Sequence, residues 1–191
     1  MNSLFTKLSP SATHMIRMDH SHVLVTFHQY EADTAPQTKQ ALVNTVCVAL
    51  EIHAQLEEEI FYPAVRRVAT DQAVMDKSVP EHDEMRRLIA KLRSMEPTDA
   101  AYDSTFMALM RDVIHHVADE ETVLLPAAEK LLGDQVNELG AQMTKRRLEL
   151  AGPRVGEIAS NTLRAMPAST MLMGVGAVLA SGLVFNAMRR R

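Results

Sequence analysis

The 191-residue chain has a single cysteine, Cys47, no tryptophan, seven glycines and only 4% aromatic residues. One cysteine excludes an internal disulfide framework and any cysteine-cage zinc site. So few glycines and aromatics argue against a sheet sandwich or barrel, whose strands draw on aromatic and β-branched side chains. Excess positive charge is missing too: 20 Lys and Arg stand against 24 Asp and Glu, for a net charge of -4. That balance gives no general attraction to nucleic acid, and no such partner is expected. The first ten residues hold one lysine and no long apolar run, unlike a secretory signal. With 47% hydrophobic and 23% charged residues the composition is globular, and the length suits one core plus an appendage. The surplus types are methionine, 13, and histidine, eight.

The punctuation is helical throughout. Ser9, Pro10 and Ser11 can start a first helix that runs to about Glu31, and Pro36 opens a second. Ser78 and Pro80 mark a third start, and Pro97, Thr98 and Asp99 a fourth. Gly133 is a stop after Leu132, and Asp134 a cap for a shorter helix ending near Gly152 and Pro153. No stretch between Pro10 and Gly133 alternates with period two over a strand's length. Four helices with short connections predict an all-α four-helix bundle. Apolar positions recur at threes and fours along Leu42, Val46, Ala49, His53, Leu56, Ile60 and Ala64. They do so again along Phe106, Leu109, Val113, His116, Glu120, Val123, Ala127 and Leu131. Each stripe is expected to face the interior, and each carries ionisable residues.

Those residues belong to a repeat. His53-Ala-Gln-Leu-Glu57-Glu58 is matched by His116-Val-Ala-Asp-Glu120-Glu121, and Pro63 and Pro126 each follow ten residues after the histidine. Acidic-histidine pairs, Asp19-His20 and Glu81-His82, lie 33 and 34 residues upstream of His53 and His116. The unit is a helical hairpin with histidine on its first helix and H-x-x-x-E on its second, used twice. Residues four apart share one helix face, so His53 with Glu57, and His116 with Glu120, can grip a common centre. Carboxylates on a core stripe cost several kcal/mol unless partnered, or they protonate. Two carboxylates and four imidazoles are best neutralised by multivalent cations. A donor set without thiolate suits iron, manganese or zinc, with redox-active iron the leading candidate.

Single features away from the repeat read as ordinary structure. His22 falls nearly opposite His20, His115 sits beside His116, and His14 falls near a helix start. His28 lies two turns from His20, about 12 Å along the axis and too far for one coordination shell. Cys47, in an apolar run, reads as a small buried hydrophobe, and Met85, Met107 and Met110 as core filler.

The doubled H-x-x-x-E-E-x-x-x-x-P pattern, with its upstream histidines, resembles the hemerythrin-like family, the HHE cation-binding domain. The resemblance covers about 11–132. It implies an up-down-up-down bundle around a non-haem di-iron centre, hence two Fe as cofactor. On the matching positions, His20 and His53 would bind one iron, His82 and His116 the other, and Glu57 and Glu120 would bridge them. Oxygen-carrying members have H-x-x-x-H on the third helix, whereas this chain has His82-Asp-Glu-Met-Arg86. Losing the fifth histidine leaves open positions on both metals and puts reversible oxygen carriage in doubt. Arg86, one turn beyond His82, is expected either as a solvated surface arginine or as a nearby cation that hydrogen-bonds a bridging carboxylate or a bound anionic ligand. Glu58 and Glu121 are read either as fillers of an open metal position or as solvent-exposed residues.

The expected layout is a bundle at 11–132, a helical linker at 133–164 and an apolar C-terminal helix at 165–188. That last segment is 24 residues without a charge, ahead of Arg189, Arg190 and Arg191. As a helix it would reach roughly 36 Å, enough for a bilayer core. Its small residues also suit helix pairing, in a membrane or in a homo-oligomer. Pro167, Ser169, Thr170, Ser181 and Asn186 weigh against insertion, as does carrying the terminal arginines across. The resulting expectation is a cytoplasmic protein with 165–188 as a candidate membrane anchor. The hemerythrin-like resemblance implies O2, NO or peroxide as ligand, in sensing or protection against oxidative or nitrosative stress. The alternatives are a di-iron catalase or peroxidase, and an iron-status or interaction module recruited to a membrane by its tail.

Overall fold

The structure, a computed structural model, describes Thr6 and residues 8–165. Its elements are α1 (Ala12–His28), α2 (Pro36–Leu56), α3 (Tyr62–Arg66), α4 (Ala73–Arg93), α5 (Tyr102–Asp119), α6 (Leu125–Leu132), α7 (Gln135–Ala151) and α8 (Val155–Ala165). No strand occurs among the described residues. The bundle is all-α, as expected, and its four rods are α1, α2 continued by α3, α4, and α5 continued by α6. Short turns fold them up, down, up and down.

Two rods are interrupted in the same way. A π-helical turn, Glu57–Phe61, joins α2 to α3, and a second, Glu120–Leu124, joins α5 to α6. Each begins at the glutamate of H-x-x-x-E and ends two residues before a proline. Pro63 and Pro126 have no N–H to give, and their rings crowd the carbonyl four residues back. The turn ahead of each widens, so that Tyr62 N–H bonds Glu57 O and Leu125 N–H bonds Glu120 O, five residues apart.

The extra residue in each wide turn shifts the buried stripe. Val123, Ala127 and Leu131, expected inside, are exposed, and Leu124, Ala128 and Leu132 take their places. Ile60 likewise gives way to the fully buried Phe61. Above the turns the expected spacing holds: Leu42, Val46, Leu56, Phe106, Leu109 and Val113 are buried. Met85 and Met110 are core residues, whereas Met107 is 42% exposed and faces solvent. Cys47 is fully buried.

Helix ends differ from expectation where tertiary packing overrides local signals. α1 stops at His28, short of Glu31, and its N-cap is Ser11, whose hydroxyl accepts from His14 N–H. α4 starts at Ala73, seven residues before Pro80, which sits inside the helix on its exposed side. The Asp71 carboxylate accepts from Ala73 N–H at 3.0 Å, and Met75 is fully buried one turn on. Core burial of that first turn outweighs the hydrogen bond that Pro80 removes.

The segment expected as a helical linker, 133–164, is helical and lies against the bundle. α7 packs on α1 and α2 and α8 on α2, while Leu139, Ala141 and Met143 are buried. Gly140 lets α7 close in: a Cβ there would sit 2.0 Å from Pro10 O and 2.9 Å from Ala12 N. Among the described residues no helix is long and apolar enough to cross a membrane. The expected apolar helix at 165–188 lies, apart from Ala165, outside the described residues.

Candidate metal centre

Each rod sends one histidine to the middle of the bundle. His20 comes from α1, His53 from α2, His82 from α4 and His116 from α5, all nearly fully buried. Glu57 and Glu120, from the starts of the two π turns, have no exposed surface at all. The six residues expected at the centre therefore converge in space. The other four histidines, His14, His22, His28 and His115, are exposed on the surface.

The four rings form two pairs. His20 and His53 have centroids 4.9 Å apart, and His82 and His116 4.6 Å, while His53 lies 6.4 Å from both His82 and His116. Each carboxylate reaches across the pairs. Glu57 Oε2 lies 3.2 Å from His53 Nε2 and 3.4 Å from His82 Nε2. Glu120 Oε2 lies 3.3 Å from His20 Nε2 and 3.4 Å from His116 Nε2. Two overlapping donor clusters result: His53, Glu57, His82 and His116, and His20, His53, Glu57 and Glu120.

Four further carboxylates hold the rings from outside. His53 Nδ1 meets Asp19 at 3.4 Å and His116 Nδ1 meets Glu81 at 3.0 Å, within each hairpin. Between hairpins, His82 Nδ1 meets Glu58 at 2.8 Å and His20 Nδ1 meets Glu121 at 2.9 Å. A carboxylate accepting at Nδ1 fixes the proton there and leaves Nε2 with its lone pair turned inward. Every Nε2 points at the centre.

The residues present fit a cation. His82 Nε2 and His116 Nε2 lie 3.1 Å apart, so with both rings protonated at Nδ1 either a shared proton or a metal cation must separate the two lone pairs. His20 Nε2, His53 Nε2, Glu57 Oε1 and Glu120 Oε2 are buried with no hydrogen-bond partner, which costs free energy that ligation would recover. Imidazole nitrogen and carboxylate oxygen without sulfur suit iron, manganese or zinc. The charges of the protein itself already respond to one another. Burial raises the Glu57 carboxyl, yet the His53 and His82 imidazoles beside it hold it well below the usual range. Burial also works against charge on His53, but Glu57 and Asp19 together hold its pKa well above the usual histidine value, so without metal the ring carries both protons and a bound cation would take the place of the one on Nε2.

Sequence reasoning did not place five contributors. Glu58 and Glu121, read as metal fillers or exposed residues, instead bind imidazoles of the opposite hairpin. Asp19 and Glu81 were visible as acidic neighbours of His20 and His82, but they serve His53 and His116, on the next helix. Tyr62 had no visible role. Its hydroxyl lies 2.7 Å from Glu120 Oε1 and 3.1 Å from Glu57 Oε2, and its ring stacks on His82. Burial, with Glu57 and Glu120 alongside, pushes its pKa far up, so the phenol keeps its proton and donates it to a carboxylate. The only cue was its place before Pro63, and the second copy has Leu125 there. Tyr62→Phe should lower the stability of the metal-free protein by about 1–3 kcal/mol, because a buried carboxylate oxygen loses its donor. Urea unfolding of the two metal-free proteins measures it.

Arg86 lies nearer the surface placement than the one beside a shared carboxylate. Its guanidinium donates to Glu58 at 2.7 Å and to Asp83 at 2.9 Å and does not bond Glu57 or Glu120. One turn beyond His82 the side chain has reached the rim, 38% exposed. It therefore acts on His82 through Glu58. The other outer carboxylates also have cations: Glu121 has Arg17, Glu81 has Lys77 and Asp19 has Arg147.

Comparison with known proteins agrees with this arrangement. The profile of the hemerythrin HHE cation binding domain matches residues 11–128, more than half of the chain. The chain belongs to the hemerythrin HHE cation-binding family. Among solved structures, a hemerythrin HHE cation binding domain-containing protein from Mycobacterium kansasii matches with a TM-score of 0.66 and 18% identity, covering 81% of this chain and 99% of that one. At that identity the likeness concerns the fold. A curated relative from Nostoc sp., named a DNA nickase, is 28% identical over 142 residues, 74% of this chain. The chain spans 40% of that relative's length. Family and site together make this a hemerythrin-like protein with a cation-binding His/Glu centre.

Proposed function

We propose that the centre holds two iron ions and binds O2, NO or peroxide, in sensing or protection against oxidative or nitrosative stress. The observation that carries this reading is the cage itself. Four imidazoles are each locked by a carboxylate to present Nε2, and two buried carboxylates each touch one ring of both pairs. His20 and His53 would hold one ion, His82 and His116 the other, with Glu57 and Glu120 shared between them. Iron bound there would supply one-electron redox chemistry toward a small ligand.

The chain's own residues set which ligand can enter. Away from the shared carboxylates, the four rings and Asp19 border a small space of about 10 Å³, otherwise lined by Val23, Leu50, Met85, Val113 and Val117. Val23 and Met85 stand three residues after His20 and His82, while Leu50 and Val113 stand three before His53 and His116. One apolar side chain per rod thus caps each ring. The space is of single-water size, too small for a bulky molecule, and its wall is apolar apart from Asp19 and the four rings. A diatomic molecule or a peroxide suits it. Tyr62 closes the opposite side, where its hydroxyl orients both shared carboxylates.

The test is ligand reactivity of the iron-loaded full chain. NO and azide should each change its visible spectrum saturably, and bulky anions should not. Oxygen evolution from hydrogen peroxide at a sustained rate would favour the catalase alternative over sensing. A spectrum indifferent to NO, azide and peroxide alike would contradict the proposal.

A further inference from the structure

The outer cations are not equivalent, and the difference follows the two-fold repeat. Asp19 and Glu81 are corresponding residues, each bound to the Nδ1 of the histidine on the next helix. Glu81 is paired with Lys77, four residues earlier on its own helix, 3.3 Å away and 53% exposed. Asp19 is only 14% exposed, and its cation comes from outside the repeat. Arg147, on α7, donates Nη1 to Asp19 Oδ1 at 2.8 Å and Nη2 to Asp19 Oδ2, the same oxygen that faces His53. A guanidinium fork on both oxygens fixes the plane of a carboxylate, which a lone ammonium cannot do. The family match ends at residue 128, before α7 begins.

We propose that Arg147 is a positioning residue of the metal centre, so that the His20/His53 half is complete only while α7 is docked. Asp19 sits between two partners, and its His53 contact, 3.4 Å, is the longest of the four carboxylate–imidazole contacts. The fork keeps Asp19 turned to His53 and thereby keeps His53 Nε2 aimed at the centre. Among the described residues Glu81, which holds His116, is paired with Lys77 of its own helix rather than with a cation from α7, so the His82/His116 half does not depend on Arg147. The close approach at Gly140 and the buried Met143 hold α7 on the bundle, and Arg147 passes that docking on to one half of the site. This inference rests on the metal reading above.

The test compares three full-length variants with the parent: Arg147→Met, Arg147→Lys and Arg146→Met. Arg146 stands next to Arg147 on α7 but pairs with Glu59 and Glu149, away from the centre. Cobalt(II) is titrated against a chelator and followed by visible absorption, and the histidine ring nitrogens of the metal-free proteins are recorded by NMR. Arg147→Met should weaken one of the two cobalt ions about 10- to 100-fold, the range for loss of an outer-shell partner. The other ion should be unchanged. Arg147→Lys should fall between, and Arg146→Met should match the parent. In the metal-free spectra Arg147→Met should move the His53 signals and leave those of His82 and His116. Equal weakening of both ions, no weakening, or an equal effect from Arg146→Met would overturn the proposal. If Arg147→Met does not fold, Arg147→Lys decides, and parent-like affinity at both sites would overturn it. A parent that takes up no second cobalt would count against the two-metal reading instead, and the selective shift of His53 would still decide the role of Arg147.

Discussion

Glu57→Ala should strip metal from the proposed two-ion centre, to one ion per chain or none, and Glu120→Ala should do the same. Glu57 Oε2 lies within 3.4 Å of His53 Nε2, His82 Nε2 and the Tyr62 hydroxyl, so a single truncation strips contacts from both ring pairs. The effect on folding should be large as well. Glu57 has no exposed surface, and removing one member of a buried charged set costs about 3–5 kcal/mol, since the partners stay buried and unpaired. Glu57→Gln separates charge from shape: it should keep most of the packing and still lose metal. Elemental analysis and urea unfolding measure the two effects. Two tightly bound ions in Glu57→Ala would remove the shared-carboxylate role.

Gly140→Ala should lift α7 from the N-terminus of α1. The new methyl would meet Pro10 O at 2.0 Å, Ser11 C at 2.8 Å and Ala12 N at 2.9 Å. All three are backbone atoms, so no side chain can rotate away. Overpacking of this kind costs about 1–3 kcal/mol, and a backbone clash belongs at the upper end. Gly156→Ala is the control: it lies in α8, a Cβ there meets nothing within 4 Å, and alanine should stabilise the helix by up to about 1 kcal/mol. Opposite signs for the two variants in urea unfolding are the expected result. Gly140→Ala as stable as the parent would mean that α7 does not dock closely on α1.

The bundle and its six inward residues were legible because both follow from spacing. Helical period, short connections and two copies of H-x-x-x-E carry enough information to bring His20, His53, Glu57, His82, His116 and Glu120 together. The π turns were not legible. Their cause, a proline six residues after each glutamate, was in view, but a straight 3.6-residue period through Pro63 and Pro126 put Val123 and Leu131 on the wrong face. Pro80 misled in the opposite sense. Local preference reads it as a helix start, while burial of Met75 extends α4 past it. The outer carboxylates escaped because their partners lie on other helices: Glu58 and Glu121 bind across the two hairpins, a relation no local pattern encodes. Arg147 is further still, since the helix that carries it stands outside the repeat.

The central claim is that the cage holds two iron ions, and its most direct test is the metal content of the purified full chain. Protein prepared in air from iron-replete cells should carry two irons per chain by elemental analysis, and none after the double change Glu57→Ala and Glu120→Ala. One tightly bound zinc per chain and no iron would contradict it.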